Sequence, residues 1–175
     1  MNGFHPAAGV SVRAVEAADH AAIATVVDTA FAAAAHADGT EAALVAELRA
    51  AGGIACEWVA VEGAGPVGHI AFSAVTLDGR DCNWFGLAPL AVAPAYQGRG
   101  IGARLVRTGL AALQARGAGG CVVLGEPAYY ARFGFAALPV LVCAWPVPPQ
   151  YFQALAWQPL ACAGIVRYHP LFGAV

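Results

Sequence analysis

Three strand-like segments joined by links too short for a crossover constrain this chain more than any other feature. Residues 57–62, 67–77 and 83–93 are rich in apolar, β-branched and aromatic side chains, and turn sequences separate them at 63–66 and 78–81. A parallel connection needs about a dozen residues or more, so these links dictate an antiparallel meander. The third segment runs into Pro94 and then a glycine-rich turn. An amphipathic helix follows over 101–116: Ile101, Leu105, Val106, Leu110 and Leu113 fall on one half of the wheel, Arg104, Arg107 and Gln114 on the other. Glycines at 117–120 stop it, and 121–124 reads as a short buried strand. Strand, helix, strand at this spacing predicts a right-handed parallel crossover. The expected core is therefore a mixed, mostly antiparallel sheet.

The flanking segments add to that frame. Val10, Val12 and Val15 suit a first strand, and Asp19 suits the start of an alanine-rich helix reaching about His36. Thr40 is placed to cap a second helix over 41–50, which presents Leu44, Val45 and Leu48 before Gly52-Gly53 ends it. Pro127 opens a short helix that ends at Gly134. Segments 140–145 and 164–168 complete a sheet of about seven strands. With no repeat or linker to break it, the chain reads as one domain over residues 10–173, and 175 residues suffice to bury a core without staples.

Composition excludes several classes. At 59% hydrophobic and 11% charged, the chain has no disordered character. A net charge near −2 argues against a nucleic-acid partner, which needs a basic face. Residues 133–166 carry no charge, but Pro139, Pro146, Pro148, Pro149 and Pro159 cut that stretch too short for a membrane helix. No secretory signal is visible at the start, and Cys56, Cys82, Cys121, Cys143 and Cys162 form no C-x-x-C pair. A cytoplasmic protein with reduced thiols, no metal and no membrane contact is expected.

The chemistry concentrates in Leu90-Ala91-Val92-Ala93-Pro94-Ala95-Tyr96-Gln97-Gly98-Arg99-Gly100-Ile101-Gly102. A glycine turn feeding a helix exposes consecutive backbone N–H groups, and the helix dipole adds to their attraction for anions. Glycine leaves room for a phosphate and permits positive φ. Arg99 adds a charge, so a pyrophosphate is the natural ligand. The Gly-Lys-Ser/Thr ending of a Walker loop is missing, as is the G-x-G-x-x-G spacing of a Rossmann turn.

Gln97-Gly98-Arg99-Gly100-Ile101-Gly102 resembles the Q/R-x-x-G-x-G/A signature of the GNAT superfamily of N-acetyltransferases. Downstream, Pro127-Ala128-Tyr129-Tyr130-Ala131-Arg132-Phe133-Gly134-Phe135 is similar to the P-x-Y-Y-x-R-F-G-F segment of a bacterial subgroup of that superfamily. Gly68-His69-Ile70, Pro89-Leu90-Ala91-Val92 and the tail 164–170 carry the same likeness. The resemblance implies an α/β (α+β) acyl-CoA N-acyltransferase fold. It also implies acetyl-CoA as co-substrate and a primary amine as acceptor, which attacks directly in a ternary complex.

By the same resemblance, the backbones of Leu90, Ala91 and Val92 pair with the pantetheine amides, and the Val92 N–H donates to the thioester carbonyl as an oxyanion hole would. Gln97, Gly98, Arg99, Gly100, Ile101 and Gly102 hold the pyrophosphate. Tyr130 sits near the sulfur and protonates the leaving thiolate. Many family members carry a carboxylate base on the signature strand, whereas residues 84–93 here contain none. The options for a base are Glu57, His69, Glu126 or ordered water, and histidine as a residue type suits base work near neutrality. Arg132 fits an anchor for its own helix or a phosphate contact.

The missing carboxylate keeps a second class open, a catalytically weak acyl-CoA-binding sensor or regulator. The charge-free tail supports a third, an interaction surface for a partner or for a second copy in a homodimer.

Overall fold

The computed structural model describes residues 9–32, 39–63, 65–159 and 163–173. Strands β1 (Val10–Ala14), β2 (Ile54–Glu62), β3 (Gly65–Leu77), β4 (Arg80–Val92), β5 (Gly120–Leu124), β6 (Leu141–Cys143), β7 (Phe152–Ala156) and β8 (Gly164–Arg167) alternate with helices α1 (His20–Phe31), α2 (Glu41–Ala50), α3 (Ile101–Ala115) and α4 (Pro127–Tyr130). Among the described residues these strands form one sheet in the order β1-β2-β3-β4-β5-β7, with β8 bonded to β3 and β6 to β8. The sheet is mixed and mostly antiparallel, with helices flanking it, as the sequence implied. Two compact units divide the chain, one of residues up to Ala71 with Pro89–Gly109, the other of Phe72–Ala88 with Leu110 onward.

In the first unit β1 lies antiparallel on β2, from Val10↔Glu62 to Ala14↔Trp58. Ile23, Val26 and Val27 of α1 bury against Val59 of β2 and Ala91 of β4. Asp19 precedes α1, yet its carboxylate caps nothing in that helix. It accepts the Glu16 N–H at 2.8 Å and both Arg13 amino groups at 2.7 and 2.9 Å, fixing the strand-to-helix corner. Thr40 occupies the N-cap position of α2 without a side-chain cap bond, and Val45 and Leu48 are the buried residues of that helix. Gly52, at φ +67°, ends it and turns the chain into β2. Gly68 lets α3 approach the sheet, because a Cβ there would lie 3.1 Å from Leu105 and 3.2 Å from Ile101.

In the second unit β4 pairs parallel with β5 from Trp84↔Gly120 to Leu87↔Val123, which is the crossover the spacing predicts. Strand β5 also pairs antiparallel with β7, and β8 pairs antiparallel with β3 and parallel with β6. Val75, Leu77, Trp84, Val122, Leu141, Phe152, Ala154 and Val166 form the core. Tyr168 stacks on Trp145 at 4.8 Å between ring centroids.

Several elements differ from the sequence reading: β2 begins at Ile54 rather than 57, β3 at Gly65 rather than 67, and β6 is confined to Leu141–Cys143 rather than 140–145. Strand β7 is an eighth strand that the pattern does not reveal. After Phe152 its residues Gln-Ala-Leu-Ala lack β-branched and aromatic side chains, and burial of three in succession removes the two-residue alternation. Strand β4 begins at Arg80 rather than 83, and Asn83 sits inside it at φ +56°, an αL kink in the strand. Helix α1 ends at Phe31 with Ala32 as its C-cap; residues 33–36 of its expected span and Cys162 lie outside the described residues. Among the described residues no helix is long and apolar enough to cross a membrane.

Candidate active site

Strand β4 leaves the sheet through Ala93, a short 3-10 turn at Pro94–Tyr96, and the glycine turn that opens α3. Gly98 and Gly100 adopt φ of +75° and +78°. No atom lies within 4 Å of where a Cβ at Gly98 would sit, so that glycine is needed for its conformation rather than for space. The first intrahelical bond runs from the Arg104 N–H to the Gly100 carbonyl at 3.1 Å. The N–H groups of Ile101, Gly102 and Ala103 therefore have no partner within the helix, at the positive end of a 15-residue dipole. This is the cradle an anion requires.

The residues around it are partly engaged. Gln97 donates its side-chain amide to the Val92 carbonyl at 3.0 Å and ties the turn to the strand. Arg99 pairs with Glu62 at 2.6 Å, and its guanidinium lies 5.1 Å from the Tyr96 ring centroid. Its positive charge is thus shared with a carboxylate rather than free for phosphate alone.

The end of β4 has one bonded edge. The Ala93 N–H donates to the Val67 carbonyl of β3 at 2.9 Å. Successive peptide groups of a strand face opposite ways. The Val92 N–H consequently points away from β3, on the same side as the carbonyl that Gln97 holds. The β4–β5 ladder stops at Leu87↔Val123, so Leu90, Ala91 and Val92 lie beyond it. Ala91 is buried at its side chain, leaving backbone as the chemistry available on this stretch.

His69 belongs to the same unit, on β3, with its side chain fully buried. Its Nε2 lies 2.8 Å from Glu57 Oε2 on β2. Arg49, at the end of α2, grips the same carboxylate through Nε at 2.9 Å and Nη2 at 2.8 Å. Burial alone would raise the Glu57 carboxyl, but hydrogen bonds from His69 and Arg49 and the Arg49 charge outweigh it. The group is held at about 2, below its ordinary 4.5. Arg49 has no signal in the sequence, since only the chain reversal at Gly52 brings it back to Glu57.

That depressed carboxyl has a consequence for acid stability. A folded-state value below the unfolded one adds stability above about pH 4.5 that is lost as pH falls toward 2. For this largely enclosed group the contribution is about 2 kcal/mol after allowance for solvent screening. Thermal melts from pH 6 to 3 should show a fall in Tm that is clearly smaller in Glu57→Gln. Parallel wild-type and variant curves would contradict the assignment. Asp19, lowered to about 2 first by its bond from Arg13, supplies a residual acid response in both proteins.

Tyr130 lies in the second unit, at the end of α4, and is buried. Its ring meets Tyr129 and Phe135 edge-on at 5.0 and 5.8 Å, and a Cβ at Gly125 would overlap it. Burial first, then the neighbouring Tyr129 and Cys121, push the phenol well above its ordinary value, so it keeps its proton at neutral pH. Glu126 is the N-cap of α4, its carboxylate accepting the Ala128 N–H at 3.4 Å ahead of Pro127. Arg132 lies over the Tyr129 ring at 4.6 Å and anchors its own helix.

The first unit thus holds Leu90, Ala91, Val92, the 97–102 turn and His69, while Tyr130 belongs to the other. Among the described residues no three His, Cys, Asp or Glu side chains could hold a metal ion, and Cys56, Cys82, Cys121 and Cys143 form no disulfide with one another.

Comparison with known proteins gives concordant matches. Residues 54–137 match the family described as acetyltransferase (GNAT) domain. The N-acetyltransferase YhbS of Escherichia coli K12 is 44% identical over 138 residues, which cover 75% of this chain and 83% of that protein. Among solved structures, a GNAT family acetyltransferase from Brucella melitensis in complex with acetyl-CoA superposes with a TM-score of 0.84 and 40% identity. That match covers 98% of this chain and 100% of the other. YhbS from E. coli in complex with CoA gives a TM-score of 0.84 and 34% identity, over 98% and 96% of the two chains.

Proposed function

We propose, from the premise that this chain belongs to the GNAT superfamily of N-acetyltransferases, that it moves an acetyl group from acetyl-CoA to a primary amine by direct attack in a ternary complex. The observation that carries the reading is the turn at Gln97–Gly102. It combines two left-handed glycines with three N–H groups left without helical partners, directly after a strand end whose Val92 N–H faces away from β3. Two relatives of similar length were solved with acetyl-CoA or CoA bound, which supports the same ligand here. Residues 10–173 act as one catalytic domain in this reading.

Acetyl-CoA supplies the activated acyl group; the chain supplies binding, polarisation and proton handling. Backbone N–H groups from Gln97 to Gly102 hold the pyrophosphate, with Arg99 adding charge from its pair with Glu62. The Val92 N–H donates to the carbonyl oxygen as negative charge develops there. Tyr130 serves the leaving sulfur. A thiol is a much stronger acid than this buried phenol, so Tyr130 acts chiefly as a hydrogen-bond donor. His69 takes a proton from the acceptor.

Four described cysteines that form no disulfide with one another support a reducing, cytoplasmic setting. The exposed Val140, Val142 and Ile165, on or beside paired strands β6 and β8, support a homodimer through that face.

Calorimetric titration with acetyl-CoA, and separately with CoA, tests the binding half of the reading. Absence of heat for both ligands would overturn it. For the catalytic half, Tyr130→Phe should leave the acetyl-CoA Kd unchanged and lower kcat on a responsive primary amine by about 10- to 100-fold. An unaltered kcat removes Tyr130 from the mechanism.

A further inference from the structure

We infer that Arg49 and Glu57 are positioning residues for His69, and that His69 Nδ1 is the atom that receives the proton of the acceptor amine; the inference rests on the acetyltransferase reading above. Three elements converge to make the arrangement: α2 brings Arg49, β2 brings Glu57 and β3 brings His69. Glu57 is ionised at neutral pH and offers only acceptor oxygens, so the hydrogen between it and His69 sits on Nε2. In the neutral imidazole the remaining ring nitrogen, Nδ1, then carries the lone pair. It is buried and has no hydrogen-bond partner among the described residues.

An imidazole kept only to tie α2 to the sheet would satisfy both nitrogens, because a buried polar atom without a partner is destabilising. Here one side is fixed by a carboxylate that is itself gripped twice by Arg49, and the other side is left for a transient partner. The strand position agrees. Val67 bonds Ala93, and the site of a Cβ on Gly68 lies 3.3 Å from the Ala91 carbonyl, so His69 follows directly on the stretch of β3 that borders Ala91–Ala93.

The proton balance is closed. The acceptor ammonium gives up one proton, which Nδ1 takes up, and Glu57 stabilises the imidazolium across Nε2–H without itself being protonated; the imidazolium returns that proton to solvent once the amide product has left. The freed amine forms the N–C bond as the C–S bond breaks, and its second proton leaves with the thiolate. Neither Arg49 nor Glu57 touches the reactants.

The test uses the full chain labelled with nitrogen-15 in histidine, with His69 assigned by His69→Gln, both free and saturated with acetyl-CoA. Wild type should show Nε2 protonated and Nδ1 bare. Glu57→Gln should mix the two tautomers and slow CoA release from acetyl-CoA with n-butylamine about 10- to 100-fold, with the acetyl-CoA Kd within twofold. Glu57→Asp, which keeps the charge, should recover part of the rate, and His69→Gln combined with Glu57→Gln should lose no more than the worse single variant. If Glu57→Gln fails to fold, Glu57→Ala is read instead, with the same mixing expected. A wild-type His69 protonated on Nδ1 alone would overturn the inference, as would Glu57→Gln with wild-type tautomer and rate. The two failures are distinguishable: absence of acetyl-CoA binding would overturn the functional reading, whereas the wrong tautomer in the free protein would overturn the role of Glu57 and Nδ1.

Discussion

Gly100→Glu should cost acetyl-CoA binding on the order of 100-fold, the largest ligand effect expected from a single substitution in this chain. Two causes add. Gly100 adopts φ +78°, where any side chain strains the backbone by about 1–2 kcal/mol, and relief of that strain would rotate the peptide groups that point at the ligand. The carboxylate would also stand at the positive end of α3, in competition with the phosphates for the N–H groups of 101–103. Gly100→Ala separates the two contributions. It keeps the strain without the charge and should weaken binding about tenfold. Calorimetry on both variants and wild type reads the difference directly. Wild-type affinity in Gly100→Glu would mean that the turn does not hold the pyrophosphate.

Gly120→Val should produce the largest loss of stability, about 3 kcal/mol or more from a total of about 5–15. A Cβ at Gly120 would run into the six-membered ring of Trp84 and come to 2.7 Å from the Leu155 carbonyl. The indole has no room to retreat, since it is buried and a Cβ on Gly119 would already lie 2.7 Å from its Nε1. The carbonyl cannot retreat without loosening the β5–β7 ladder at Cys121↔Leu155. Urea denaturation should show a lower midpoint, and Gly120→Ala a smaller shift in the same direction. Adding Trp84→Ala to Gly120→Val should recover part of the loss, because the cavity admits the new side chain. A midpoint equal to wild type would show that β5 can shift without penalty.

The meander and the crossover were legible because link length leaves strand pairs no other geometry. The glycine turn ahead of α3 was legible because its positive-φ positions and unpaired helix N–H groups need no partner from a distant segment. Strand β7 was not legible, since burial on both faces erased its alternation. The proton-handling side was only half visible. His69 and Glu57 were candidates among several, and Arg49 was not among them.

The sequence by itself determined the meander, the parallel crossover and the glycine turn ahead of α3, all of which follow from local spacing, while the family came from the resemblance of its motifs. Tertiary structure alone decided which buried polar groups meet. Arg49 and Glu57 are eight residues apart on different elements, and His69 is twelve further on, so their convergence depends on how α2 closes over β2 and β3. Tertiary structure likewise decided that the Val92 N–H faces away from β3, because that direction follows from which strand the neighbouring Ala93 N–H bonds, a pairing no local pattern specifies.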